Sequence, residues 1–537
     1  EALEQLAEQA QRSLDLANGP LLRALLATMA DGSQRLLLVI HHLVVDGVSW
    51  RILLEDLQQA YGQLQAGQAL KLPAKTSSTQ AWARRLQAHA DSAAMQTQLG
   101  FWTAQLQGAP VDLPCDRPHG ELHNRHALHV ETRLDSQLTR QLLQQVPAAY
   151  RTQINDLLLT ALAQVIGDWT GQASTLIQLE GHGREALFDD LDLGRSVGWF
   201  TSLFPVRLTP AADTAASIKA IKEQLRAIPD KGLGFAALRY MGNEQARQTL
   251  KALPVPRITF NYLGQFDAGF TDDALFTPAS ESAGANQSPQ AELDNWLTLN
   301  GRVYGGELSI AWTFSGQMFD AATIERLAQA YGRELERLIA HCCQPLHQGL
   351  TPSDFPLAAL NQAQLDALAV TPRQVEDIYP LSPMQQGMLF HTLFEHQAGD
   401  YINQLCVTVD GLAVERFRDA WQAAMDAHDV LRSSFVWDGE VQRPLQVIHK
   451  DLTVPFSVLD WRERSDLSQA LAQLACEQRQ QGFDLEAAPL LRLVLVQTGA
   501  GQWHLIYTYH HILMDGWSNS QLLGEVMQRY SGRTSAS

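Results

Sequence analysis

Two stretches of the chain share one pattern of apolar and polar positions. From Ser13, SLDLANGPLLRALL runs from a polar turn into an apolar segment, and RLLLVI then leads into the pair His41 and His42. From Gly482, GFDLEAAPLLRLVL does the same, and HLIYTY leads into His510 and His511. Short apolar runs rich in branched and aromatic residues predict strands. An Asp-Gly step follows each histidine pair, and helical periodicity begins at once, as in VSWRILLEDLQQAYGQL after Gly47. Each pair is therefore expected at a strand end, where sites collect. Elsewhere the helical INDLLLTALAQVIGDW precedes the strand-like STLIQLEG, so the chain reads as mixed α/β.

The offset between the copies is constant. Asp15 and Asp484, Pro20 and Pro489, and His42 and His511 are each 469 positions apart (484 − 15, 489 − 20 and 511 − 42). Solenoid repeats recur at roughly 20 to 50 residues, so these are two related domains. Between them QPLHQGLTPSDFPLAALNQAQLDALAVTPRQ carries scattered prolines and one helical patch, which predicts an interdomain connector over residues 345–373. The expected layout is a first domain over 1–344 (front-lobe remainder 1–110, rear lobe 111–344) and a second over 374–537. The loop from Asp267 to Gln290, rich in small polar residues, is expected to be a surface excursion.

Bulk properties narrow the function. The 537 residues carry a net charge of −18 and no basic run with interleaved aromatics, which argues against nucleic acid and anionic membrane surfaces as partners. No apolar run approaches the roughly 18 residues of a membrane span. Five cysteines at 115, 342, 343, 406 and 476 have neither zinc-ligand nor redox spacing, and their odd number fits a reducing cytoplasm. The first residues, EALEQLAEQAQRSLDL, read as an acidic amphipathic helix within a longer chain.

The chemistry centres on HHLVVDG and HHILMDG. The second histidine of each, His42 or His511, suits general acid–base work because an imidazole titrates near neutral pH. His41 and His510 are assigned to the structural part of the motif. Asp46 and Asp515 are expected to fix the turn through an ion pair, and Gly47 and Gly516 to supply backbone angles barred to other residues. An isolated histidine pair is more often a satisfied core feature; recurrence in matched context reverses that. In STLIQLEGHGRE, Glu180 ends an apolar strand, where burial raises a carboxyl pKa. Its structural alternative is a cap or an ion pair with Arg184. Ser49, Trp50 and Trp199 flank the motifs, and a tryptophan there is more often packing than chemistry.

HHxxxDG resembles the signature of the chloramphenicol acetyltransferase-like superfamily, which includes the condensation, epimerisation and heterocyclisation domains of nonribosomal peptide synthetases. The resemblance implies a V of two α/β lobes and a tunnel through which the phosphopantetheine of a carrier protein brings a thioester. NDLLLTALA, EGHGRE, VGWFTSLFPVRL, KGLGFAALRY and FNYLGQFD, in that order, resemble epimerisation domains. VEDIYPLSPMQQGMLFHTL and HDVLRSSFVWDG resemble the opening of a condensation domain that follows an epimerase, here present as its N-terminal lobe.

What this implies is epimerisation of a carrier-bound L-aminoacyl or peptidyl thioester to the D form, then use of the D donor by the condensation domain. His42 and Glu180 would serve opposite faces of Cα; which one removes the L-residue's proton stays open. The enolate-like oxygen needs a donor, and Asn261 and Tyr262 are the candidates, since family positions matching them line the active site. His511 would assist amine attack. No cofactor is expected on this segment itself; the implied partners are carrier protein domains upstream and downstream and the adenylation domains of the same synthetase. The rival readings are two condensation domains, or a module that binds carrier protein without catalysis.

Overall fold

Alternation along the strands builds the largest layer of the molecule. The computed structural model describes residues 2–265, 275–368, 370–394, 401–439 and 441–532. The chain divides into two units, Glu1–His347 and Gln348–Ser537. In unit 1, β1 (Leu22–Thr28) and β2 (Gln34–Ile40) form an antiparallel pair. A six-stranded sheet follows from β3 (Ala127–Leu134), β4 (Thr175–Gly181), β5 (Ser202–Leu208), β6 (Ile258–Gln265), β7 (Leu297–Tyr304) and β8 (Glu307–Ser315). Its order is β3-β8-β7-β6-β4-β5, with β6 parallel to both β4 and β7.

Leu179, Phe260, Leu299 and Trp312 lie side by side on one face of this sheet, and all are buried. The helices Ile154–Thr170 and Ala321–Cys342 contribute to the same core. The first of these is apolar on every side because it is buried on every side. Its one buried charge, Asp156, caps the helix start and takes a two-pronged bond from Arg226 (2.7 and 2.9 Å). The opposite face of the sheet carries Gln178, Glu180, Asn261 and Asn300, and it bears the candidate site.

The segment after the first strand pair contributes to the core of the large sheet. The helices Thr79–Ala90 and Ala93–Leu106 send Ala90, Met95 and Trp102 into the core of the large sheet, where Trp102 meets Phe204 and Phe235. The polar loop is tied down over its described part. Arg35 pairs with Glu281 (2.9 Å), Gln11 donates to the Ala283 carbonyl and the Ala285 N–H donates to Glu8. Residues 266–274 of that loop lie outside the described residues.

In unit 2, β9 (Val375–Pro380), β11 (Ser433–Val436) and β12 (Leu445–His449) make one sheet. The strands β10 (Ile402–Asp410), β13 (Phe456–Asp460), β14 (Leu491–Gly499) and β15 (Gln502–His510) make another, in the order β10-β15-β14-β13. The expected connector is more than a tether. Leu350, Phe355, Ala358 and Leu365 pack with Val375, Ile378, Leu445 and Val447 in a small core of their own. Among the described residues no helix is long and apolar enough to cross a membrane.

Candidate functional site

The motif has the same local geometry in both units. β2 ends at Ile40 and β15 at His510, so both histidine pairs sit at strand ends. Nδ1 of His41 accepts from the Leu43 N–H (3.2 Å), and Nδ1 of His510 accepts from the Ile512 N–H (3.1 Å). Asp46 caps the helix Gly47–Gln65 by accepting from the Ser49 N–H (2.8 Å); Asp515 caps Gly516–Tyr530 through the Ser518 N–H (2.7 Å). The glycine expectation is overturned. Neither Gly47 nor Gly516 has a positive φ, because each is the first residue of a helix, and a Cβ on either would meet nothing within 4 Å.

The expected ion pair is present at Asp46 and lacking at Asp515. Asp46 is 3% exposed and accepts from Arg184 Nη2 (2.9 Å), from Ser49 and from the Phe200 N–H (3.1 Å). Burial pushes this carboxyl up, but the bonds from Ser49, Phe200 and Arg184 outweigh it and hold the group below the ordinary carboxylate range. Arg184 also donates to the carbonyls of Leu193 (2.9 Å) and Ser196 (2.6 Å) and lies over the Phe200 ring. It is therefore not the partner of Glu180. Asp515 is exposed and pairs with no Lys or Arg among the described residues.

Glu180 is the penultimate residue of β4, on the polar face of the large sheet. Since Leu179 pairs with Phe260, the next register position sets Glu180 beside Asn261 of β6, and Asn261 Nδ2 donates to Glu180 Oε2 (2.7 Å). Burial raises the Glu180 carboxyl above its usual range, Asp294 adds to the rise, and His42 partly offsets it. His42 is exposed, close enough to act on the charge of Glu180, and its ring lies against Trp199 with centroids 4.6 Å apart.

One N–H of the Asn261 amide is thus committed to the carboxylate, which makes Asn261 an orienting partner of Glu180 as well as a donor candidate. Tyr262, one residue on, alternates to the other side of the strand and packs against the main core, and burial pushes its phenol up. The structure therefore joins Glu180 to Asn261, places His42 where its charge is felt by Glu180, and sets the Tyr262 ring on the core side.

In unit 2 the His511 ring is held through Nδ1, which donates to the Met514 carbonyl (3.0 Å), so Nε2 is the nitrogen with a free lone pair. His510 is buried, its Nε2 has no partner among the described residues, and burial, with a contribution from His511, pushes its pKa down to about 4. Among the described residues no cluster of three His, Cys, Asp or Glu is placed to hold a metal ion. Sequence reasoning missed Asp294 as a second acidic influence on Glu180 and Asn261 as its hydrogen-bond donor. Only the strand register reveals that donor.

The condensation-domain family matches residues 1–360 and 375–537, and the chain belongs to that family. In domain terms it is a nonribosomal peptide synthetase segment, an epimerisation-type domain with part of a condensation domain after it. It is 42% identical over 536 residues to one polypeptide of the linear gramicidin synthase of Brevibacillus parabrevis, a match that covers 99% of this chain and 10% of that protein. It is 44% identical over 522 residues to another polypeptide of the same synthase, covering 96% and 10%. The chain therefore spans about a tenth of the length of these relatives. It is also similar to the crystal structure of the epimerization domain from the third module of tyrocidine synthetase B. That match has 38% identity and a TM-score of 0.59, and covers 64% of this chain and 76% of the other. The fold is the chloramphenicol acetyltransferase-like α/β fold.

Proposed function

We propose that unit 1 inverts the Cα of an aminoacyl or peptidyl thioester held on the phosphopantetheine of a carrier protein. Unit 2 belongs to the condensation domain that takes the D-configured product as its donor. The observation that carries this reading is Glu180, half-buried and oriented by Asn261, within reach of the charge of the exposed His42 imidazole. Inversion needs two groups, one to take the Cα proton and one to return a proton to the opposite face, with pKa values drawn toward neutrality. A raised carboxyl and an imidazole meet that need. Amide formation asks for one histidine and leaves Glu180 without a task, and a module that only binds carrier protein leaves both without one.

The site works in the cytoplasm, with adenylation and carrier domains of the same synthetase supplying the substrate. In unit 2 the free Nε2 of His511 assists attack of the acceptor amine on the donor thioester. The test is α-hydrogen exchange in heavy water by the intact synthetase, its carrier loaded with an L-aminoacyl group. Deuterium enters Cα and the stereochemistry becomes mixed. His42→Ala and Glu180→Gln each reduce inversion by roughly 10²- to 10⁴-fold. Absence of deuterium uptake by the wild type overturns the reading, and unimpaired turnover by both variants overturns the two-base assignment.

A further inference from the structure

An imidazole that exchanges protons has to be held in place, and the two copies hold theirs by different means. In unit 2 the Met514 carbonyl fixes His511. The matching position in unit 1 is Val45 (514 − 469), and among the described residues the His42 ring makes no such bond. Its ring rests instead on the indole of Trp199, with the planes inclined by 42°.

Trp199 is 46% exposed, so burial alone does not explain where it sits. The backbone on either side of it does. The Gly198 N–H donates to Ser49 Oγ (3.1 Å), and the Phe200 N–H donates to Asp46 Oδ2 (3.1 Å). The Ser49 hydroxyl also lies 2.9 Å from the Gly198 carbonyl and 2.7 Å from Asp46 Oδ1, the two acceptors for its one proton. A Cβ at Gly198 would come within 2.6 Å of Thr79 Oγ1, so the chain enters Trp199 through a narrow passage.

We infer that Trp199 is the positioning residue of His42: Asp46 and Ser49 grip residues 198 and 200 and so lay the indole against the imidazole, as the Met514 carbonyl holds His511. Asp46 then has a second task beyond its turn, since it places the ring that orients the histidine at the head of its own motif. The inference rests on the proposed epimerisation only for its kinetic readout.

The test uses two variants, Trp199→Leu and Trp199→Phe, in the intact chain with 13C-labelled histidine. The His42 ring signal is identified by its loss in His42→Gln. In the wild type the indole ring current displaces that signal. Trp199→Leu should move it toward the position of an unstacked histidine, and Trp199→Phe should keep part of the displacement. For α-deuterium exchange, Trp199→Leu should lower kcat by roughly 10- to 100-fold while KM for the loaded carrier protein stays within about twofold, and Trp199→Phe should recover most of the loss. An unmoved His42 signal in Trp199→Leu overturns the inference whatever the activity. A moved signal with unchanged kcat overturns it too. If the wild type exchanges no deuterium, the functional reading fails, while the resonance arm still decides whether Trp199 holds His42.

Discussion

The two HHxxxDG copies are alike in what each does locally and unlike in what lies across from them. In both, the first histidine accepts from the N–H two residues on, and the aspartate caps the following helix. Beyond that the surroundings diverge. Asp46 is buried against Arg184, Ser49 and the backbone of Phe200, whereas Asp515 is exposed and only caps. His41 is partly exposed, whereas His510 is 2% exposed with a nitrogen unpartnered among the described residues. His42 is held by a ring and His511 by a carbonyl. A seven-residue motif thus specifies its own turn, while the role of each position is set by the chain that packs over it.

The sharpest way to break this comparison is at the aspartates. Asp46→Ala would leave Arg184, whose side chain is 6% exposed, as a buried cation without its counter-charge. Removal of one member of a buried pair costs about 3–5 kcal/mol. Chemical denaturation read through local hydrogen exchange should show unit 1 losing that much stability, with unit 2 unchanged. Asp46→Ala with no more effect than a surface substitution would show that the buried network is not what ties this turn to the loop carrying Trp199.

What the sequence made legible was whatever depends on near neighbours. The repeat, the strand–turn–helix around each histidine pair and the placing of Glu180 at a strand end all follow from local pattern, and all are present. Glu180 and Asn261 meet because β4 and β6 run parallel in one register, across 81 residues of chain. No local pattern carries that. Arg184 looked like a partner for Glu180 because it is four residues away. The turn between them contains Gly183 at a φ of 66°, where a Cβ would overlap the Phe200 carbonyl, and the chain leaves it aimed at Asp46 instead. Tyr262 and Trp199 show how placement depends on the local course of the chain. Tyr262, adjacent to Asn261 in the strand, faces the core side, and Trp199 beside the motif is 46% exposed with its ring against His42.

A second, smaller effect separates the histidines themselves. His510 accepts at Nδ1, so its proton sits on the buried Nε2, and a second proton has to be added to a desolvated ring. Its folded-state pKa of about 4 lies below the unfolded value of 6.5. For a histidine shifted down, the stabilising contribution is present above the unfolded value and is lost as pH falls through the window toward the folded one. Between pH 7 and pH 5 unit 2 should lose about 2 kcal/mol from this group, and His510→Asn should flatten that dependence. Equal acid sensitivity in wild type and variant would remove His510 as its source.

The smallest effect is the most informative control. Asp515 and Asp46 make the same cap, so Asp515→Ala removes from unit 2 only what Asp46→Ala removes locally from unit 1. The cap is solvent-exposed, and the loss should be roughly a third or less of that at Asp46. Asp515→Asn, which keeps a capping oxygen, should restore most of it, whereas Asp46→Asn should not, because an amide keeps the cap but not the charge facing Arg184. The difference between the two Asn variants, read as the gap in unfolding midpoint between the units, isolates the contribution of the ion pair from that of the helix cap. If both behave alike, the buried pair contributes nothing beyond the cap, and the distinction between the two copies reduces to solvent exposure.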